Sequence, residues 1–350
     1  MKNFINKYFA AANGYDGFRS YFNKIFDPHE FERIYVLKGG PGTGKSSLMK
    51  RTKKYFLNKE YECEEIYCSS DPNSLDGVIV KSKDKKVAII DGTAPHETDA
   101  KIPGAIDEII DLGIAWKKEE LIHNREQILS LNNDKGRHYK NAYEYLNLAG
   151  QFSTKISSRI KKSYNSSNAE IFSILSNIGN ISLSRNEEVK LISSFGKTGY
   201  KTLNLGIVGA KKCISVSGVY GSEYIFMNEL YDEIKRMKLS YILSPSPFSN
   251  DKIEAIYIHN NETFITTNFT YDIQVKTDIL LNEDVLNEHK DIIQYYSHEV
   301  DSLLKMAQKE LSLASECHFA LEALYTPTMN FNILDSINQK VIEEIDVCLK

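Results

Sequence analysis

Cysteine is sparse: the 350 residues hold five (Cys63, Cys68, Cys213, Cys317 and Cys348), an odd number, widely scattered and without C-x2-C spacing. They read as reduced thiols of a cytoplasmic protein rather than a disulfide framework, and Cys63 and Cys68 as half-buried strand residues. No sign of charge dominates either. A formal net charge of −4 argues against a strongly electropositive surface, so nucleic acid is not the expected partner and a nucleic-acid motor is the weakest of the functions weighed. Long apolar runs are absent; no stretch approaches a membrane span, and Met1-Lys-Asn-Phe-Ile-Asn-Lys7 lacks the apolar core of a signal peptide. Tryptophan occurs once, and Trp116 is expected to anchor packing rather than stack on a base. With 42% hydrophobic and 26% charged residues, the chain is long enough for two globular domains.

What the sequence does hold is Gly39-Gly-Pro-Gly-Thr-Gly-Lys-Ser46, placed between an apolar run, Ile34-Tyr-Val-Leu37, and a helix-like one, Ser47 to Leu57. The spacing G-x4-G-K-[S/T] between a strand and a helix is that of a Walker A loop. Glycines let consecutive backbone N–H groups point at phosphate oxygens, and the helix adds the positive end of its dipole. Gly39, Gly40, Pro41, Gly42, Thr43, Gly44, Lys45, Ser46 and Ser47 are thus expected to cradle ATP. Lys45 would lie between the β- and γ-phosphates and Ser46 would ligate Mg²⁺.

In the following helix Leu48, Met49, Tyr55 and Phe56 recur at helical spacing, with Lys50, Arg51, Lys53 and Lys54 forming a solvated face. A second strand is expected over Tyr61–Cys68, leading into the polar turn Ser69–Ser74, and a third over Val87–Ile90, ending in Asp91. An aspartate at a strand tip downstream of such a loop is the Walker B arrangement, holding Mg²⁺ directly or through water. Gly92-Thr-Ala-Pro-His96 follows, without the adjacent glutamate that many ATPases use. Ser70, Asp71 and Asp76 would face the γ-phosphate if strand 2 lies beside the loop, with Asp71 the candidate general base; a self-stabilising Asx turn is the competing reading. His96 is expected to cap the loop after strand 3 or to sense phosphate. From Ala105 to about Ser184 the pattern turns helical, with Ile106, Ile109, Ile110 and Ile114 on one face, as in a lid or bundle.

The second half repeats the first in order, with small gaps. Ile214–Gly221 matches Tyr35–Gly42, Ser244–Pro247 matches Ser69–Pro72, Phe264–Thr267 matches Ala88–Asp91, and Lys305–Ala314 matches Lys140–Ala149. Aligned this way, Tyr224 stands at Lys45, Glu223 at Gly44 and Thr267 at Asp91. The second copy is therefore expected to be structural or regulatory. The fold expected is α/β: two tandem P-loop NTPase-like domains with mainly parallel sheets, each followed by a helical segment. Residues 1–190 would form the first, with a helical lid over about 105–184, and 191–350 the second.

The chain resembles an uncharacterised bacterial family of tandem P-loop ATPases, common in Gram-positive bacteria. The likeness rests on Tyr8-Phe9-Ala with Gly17-Phe18, Leu37 to Leu48, Cys68-Ser-Ser-Asp-Pro-Asn-Ser-Leu-Asp-Gly-Val78, Asp91-Gly-Thr-Ala-Pro-His96 and Pro103-Gly-Ala-x-Asp-Glu-Ile-Ile-Asp-Leu-Gly113. It implies ATP use and two related nucleotide-binding domains. The loss of lysine and glycine in the second loop departs from that pattern and argues against two working sites.

The leading expectation is an ATPase using Mg·ATP, Lys45, Ser46 and Asp91, with the second domain inactive. The alternatives are a small-molecule or nucleotide kinase, in which the helical block closes over an acceptor, and a nucleotide-gated binding module with little hydrolysis. No N-K-x-D guanine motif is present, which leans toward ATP. Arg19, Arg33, Arg51, Arg125 and Arg137 are all open candidates for an arginine finger.

Overall fold

The computed structural model describes residues 6–176, 187–203 and 210–350, so the last part of the expected helical block, to Ser184, lies outside the described residues. The first half runs β1 (Lys7–Phe9), β2 (Ala11–Gly14), β3 (Gly17–Ser20), α1 (Phe22–Ile25), β4 (Arg33–Lys38), α2 (Lys45–Leu57), β5 (Glu62–Tyr67), β6 (Leu75–Lys81), β7 (Lys86–Asp91), β8 (Asp107–Asp111), α3 (Lys118–His123), α4 (Arg125–Ser163) and α5 (Asn168–Leu175). The second runs β9 (Glu187–Val189), β10 (Ser193–Gly196), β11 (Gly199–Thr202), β12 (Lys212–Ser217), α6 (Ser222–Arg236), β13 (Tyr241–Pro245), β14 (Ile253–Ile258), β15 (Thr263–Thr266), β16 (Ile273–Lys276), α7 (Glu283–Asn287), α8 (Lys290–Tyr325) and α9 (Phe331–Leu349).

Each half builds a six-stranded mixed sheet, in the orders β1-β5-β6-β7-β4-β8 and β9-β13-β14-β15-β12-β16. The two orders correspond strand for strand. In both, the third strand of the order pairs antiparallel with its two neighbours and the remaining ladders are parallel. Ile34, Tyr35, Val36 and Leu37 are buried, as expected of a central parallel strand covered on both faces. In α2 the buried positions are Leu48, Met49, Thr52 and Phe56, so the basic residues between them face outward.

One expectation is corrected by the sheet. Ile109 and Ile110, read as part of a helical face, lie in β8, which pairs parallel with β4 at the sheet edge. A short run of β-branched residues fits either period, and the open edge of β4 decides it. A short 3-10 turn, Leu112–Ala115, follows, and α-helix begins only at Lys118.

Two exchanges bind the halves together. Helix α9, from the end of the chain, lays Leu334, Val341, Ile345 and Leu349 beside α2 on the first sheet, while α5 lays Ile171, Ile174 and Leu175 beside α6 on the second. The opposite faces of the two sheets share one apolar cluster, in which Ile34, Val36 and Ile90 join Ile242, Tyr257 and Phe264. A boundary near residue 190 therefore separates the sheets but not the helices that cover them. Above the sheets α4 and α8 pack antiparallel, His138 meeting Glu310 at 2.7 Å at one end and Phe152 meeting Tyr296 at 5.3 Å further along. The repeated Lys-x-Ala-x3-Leu-x-Leu-Ala segments supply this contact: Ala142 and Leu146 pack with Ala307 and Leu311.

The seam between halves also buries charge. Glu64 accepts from Lys81 (2.5 Å), Lys190 of the second half (3.1 Å) and the Tyr8 hydroxyl (2.7 Å). Burial alone would raise its pKa, but Lys190 and Lys81 outweigh it and hold the carboxyl at about 2. Removing one member of such a buried cluster leaves the others uncompensated. Glu64→Gln is expected to cost about 3–5 kcal/mol in denaturant unfolding at pH 7. The sign follows from the depressed value: the stabilisation is full above the ordinary carboxylate pKa and is lost as pH falls from about 4.5 toward 2. The stability difference between parent and variant should therefore shrink across that window.

Candidate functional site

The glycine-rich loop joins β4 to α2 at the C-terminal edge of the first sheet. Its turn depends on glycine where φ is positive, +69° at Gly42 and +81° at Gly44, the latter immediately before the first turn of α2. Thr43 Oγ1 donates to the Gly40 carbonyl (2.9 Å), and Lys45 Nζ folds back to the carbonyls of Gly39 (2.8 Å) and Gly40 (3.1 Å). Ser46 Oγ accepts the Leu75 N–H at 3.0 Å, which ties α2 to the start of β6. Because β7 pairs directly with β4, Asp91 arrives beside the loop, its Oδ2 3.7 Å from Lys45 Nζ. Its other oxygen accepts from Thr93 N (2.9 Å) and Oγ1 (2.6 Å).

These groups line a cavity of about 610 Å³, within the range of small-ligand pockets. Gly39 to Ser47, Asp71 and Asp91 all border it, as do Ser70, Asp76 and His96. A larger hollow of about 810 Å³ lies elsewhere, between surface residues such as His29, Glu62 and Lys83, away from the loop.

Part of the cavity wall was not anticipated. The hairpin β10–β11 of the second half sets Gly196 against the Ser69 and Ser70 carbonyls, so closely that a Cβ on Gly196 would lie 2.7 Å from Ser69 O. Its turn carries Lys197, which pairs with Asp71 at 2.8 Å. Burial would raise the Asp71 pKa, but the Lys197 hydrogen bond and the Asn73 N–H hold it below the ordinary value. From above, α4 contributes Lys135 and Tyr139, and α8 contributes His318 and Glu322. The Gly42 N–H faces the Glu322 carboxylate, which His318, 3.6 Å away, chiefly holds below its usual pKa. Burial keeps the Lys135 ammonium below its usual range. Among the described residues, none of the five arginines weighed above lines this space; its cations are Lys45, Lys135 and Lys197. Trp116 packs on Tyr325 and beside Gly40. The helical block is thus half of a cover whose other half is α8.

Behind the loop, Asp76, Asp91 and His96 are buried together. Burial, with Asp91 nearby, raises the Asp76 carboxyl to about 6. His96 is held by stacking on Phe22 (4.6 Å between ring centres).

The corresponding region of the second half is built differently. Phe226, Met227, Leu230 and Ile234 of α6 take the buried positions of Leu48, Met49, Thr52 and Phe56 in α2. Matched by this buried face, Glu223 rather than Tyr224 corresponds to Lys45, a shift of one residue from the alignment made from sequence, although the loop before α6 is two residues shorter and α6 itself begins at Ser222. Ladder register likewise aligns Ser244 with Ile66 rather than Ser69. It keeps Thr267 at Asp91 and puts Glu254 at Asp76. Glu254 bonds Ser193, Tyr200 (3.0 Å) and Asn268 (3.4 Å), and burial raises its carboxyl to about 7.

The chain matches no family model, no curated protein and no solved structure.

Proposed function

We propose that the chain is an ATP-binding P-loop NTPase, hydrolysing Mg·ATP at the loop Gly39–Ser46 within a site that its own second half completes. The observation that carries this reading is the convergence on one cavity of the glycine-rich turn, Lys45, Ser46, Asp91 and Lys197. The residues fit the ligand: positive φ at Gly42 and Gly44 gives the glycine-rich turn its shape, and a cation and a hydroxyl stand at the start of α2. Ser46 and Asp91 would hold Mg²⁺, which supplies charge neutralisation to the phosphates when bound.

The chain's own groups divide the remaining work. Lys45 would leave the Gly39 and Gly40 carbonyls for the β- and γ-phosphate oxygens. Lys197 would turn from Asp71 toward the γ-phosphate, where negative charge grows as the bond to the leaving oxygen lengthens. Asp71, released from its cation, would accept the proton of the attacking water. The α4–α8 cover would exclude bulk solvent. The second loop, with glutamate where the first has lysine, would repel phosphate, which leaves that half a structural and regulatory role. The likeness to tandem P-loop ATPases supports ATP use at the first loop; the second half departs from it in lacking the loop lysine.

A second reading has its own observation. Glu322 already presents a carboxylate to the Gly42 N–H, as a phosphate would, so nucleotide binding alone would displace the end of α8 and switch a surface without turnover. Mg²⁺-dependent ADP formation by the purified chain separates the two. Steady release of ADP and phosphate without an added acceptor is expected. Binding of ATP with no ADP formed over hours would leave the switch, and ADP formed only with an added acceptor would leave the kinase.

A further inference from the structure

We propose that Asp76, Asp91 and His96 form a binding site for one first-row divalent transition-metal ion, held by the protein without nucleotide. The three ligand atoms lie within 4.8 Å of one another, and the residues are only 5%, 9% and 8% exposed. His96 Nε2 is buried and makes no hydrogen bond. It lies 3.8 Å from Asp76 Oδ2, too far for a hydrogen bond and near enough for both atoms to share an ion. A buried imidazole nitrogen left without a partner costs free energy, and an ion placed between it and the two carboxylates removes that cost.

The surroundings hold the ligands in place. Stacking on Phe22 orients the imidazole, and the two bonds from Thr93 occupy Asp91 Oδ1 while Oδ2 faces Lys45. Such outer contacts are what fix ligands in metal sites. One nitrogen and two carboxylates suit Mn²⁺, Fe²⁺, Co²⁺ or Zn²⁺; Mg²⁺ favours oxygen and keeps its waters. In the second half the Asp91 position is Thr267, and Glu254 is engaged by Ser193, Tyr200 and Asn268, so the ligand set belongs to the first half alone. The site shares Asp91 with the proposed nucleotide site but takes the metal by itself, and does not depend on hydrolysis.

The test is titration of untagged, nucleotide-free, full-length protein with MnCl2 and CoCl2, followed by calorimetry and by the visible absorption of Co²⁺. One ion per chain is expected, with affinity weakened at least about 10-fold by His96→Asn and by Asp76→Asn. Pulsed electron paramagnetic resonance of the Mn²⁺ complex should show ¹⁴N coupling from one imidazole in the parent chain, a readout that needs no variant to fold. No binding at millimolar Mn²⁺ and Co²⁺, or a bound ion without that coupling, would overturn the proposal. Lys45→Ala should retain the ion even where turnover is lost, so the failure of this site and of the nucleotide site are told apart.

Discussion

If the chain is the ATPase proposed, alanine at Lys197 is expected to lower kcat for ATP hydrolysis by roughly 10²-fold, about 2.7 kcal/mol of barrier, with the ATP affinity changed only a few-fold. The expectation follows from where the ammonium sits. It is paired with Asp71 at 2.8 Å, and its side chain is 18% exposed. The backbone around Gly196 is wedged against the Ser69 and Ser70 carbonyls, so the hairpin cannot withdraw without breaking the seam between halves. A cation poised this way gains most when charge develops on the transferring group, and an interaction made chiefly in the transition state appears in kcat rather than in binding. Lys197→Arg should recover part of the rate. The fold should tolerate the change, because a partly exposed pair contributes at most about 1 kcal/mol. Asp71→Asn would also slow turnover, and the double variant should be less than additive, since the two residues share one bond. Turnover of Lys197→Ala within two-fold of the parent would mean that the second half merely covers the site.

The second large effect is at Lys45. Lys45→Ala is expected to abolish detectable turnover, a fall of about 10³-fold or more, and to weaken ATP binding about 10- to 100-fold, because no other described cation lies within the loop itself. Glu223→Ala, its counterpart in the second half, should leave turnover unchanged. The pair of variants decides which loop works: loss at Glu223 with retention at Lys45 would reverse the assignment. Both are measured by phosphate release and by equilibrium binding of a fluorescent ATP analogue, with thermal unfolding as the control for folding.

What the sequence revealed of this site is the part built from neighbours along the chain. Strand, glycine turn, Lys45, Ser46 and the first turn of α2 are contiguous, and Asp91 is marked by its place at the tip of an apolar run. Lys197, Lys135, His318 and Glu322 carried no such mark. Lys197 reaches Asp71 across more than a hundred residues, through a hairpin whose only local signature is Gly196-Lys-Thr-Gly199. Helical spacing in 290–325 and 331–349 says that helices form, not that α8 roofs the first cavity or that α9 completes the core under β4. The misread of Ile109 and Ile110 has the same origin: their partner, β4, lies some seventy residues upstream. Repetition could have pointed further. Two halves with matching strand orders and a matching Lys-x-Ala-x3-Leu-x-Leu-Ala helix segment imply a pseudo-twofold pairing, and Phe9 and Leu191, just before the two hairpins, exchange both backbone hydrogen bonds, at 2.8 and 3.2 Å.

The most direct test of a nucleotide site completed by the second half is a crystal structure of the full chain with Mg²⁺ and a slowly hydrolysed ATP analogue. The account predicts triphosphate density in the turn Gly39–Ser46 and Lys197 Nζ moved from Asp71 to hydrogen-bond distance of the γ-phosphate. Density at Gly218–Tyr224, or a triphosphate at the first loop with Lys197 still paired to Asp71, would contradict it.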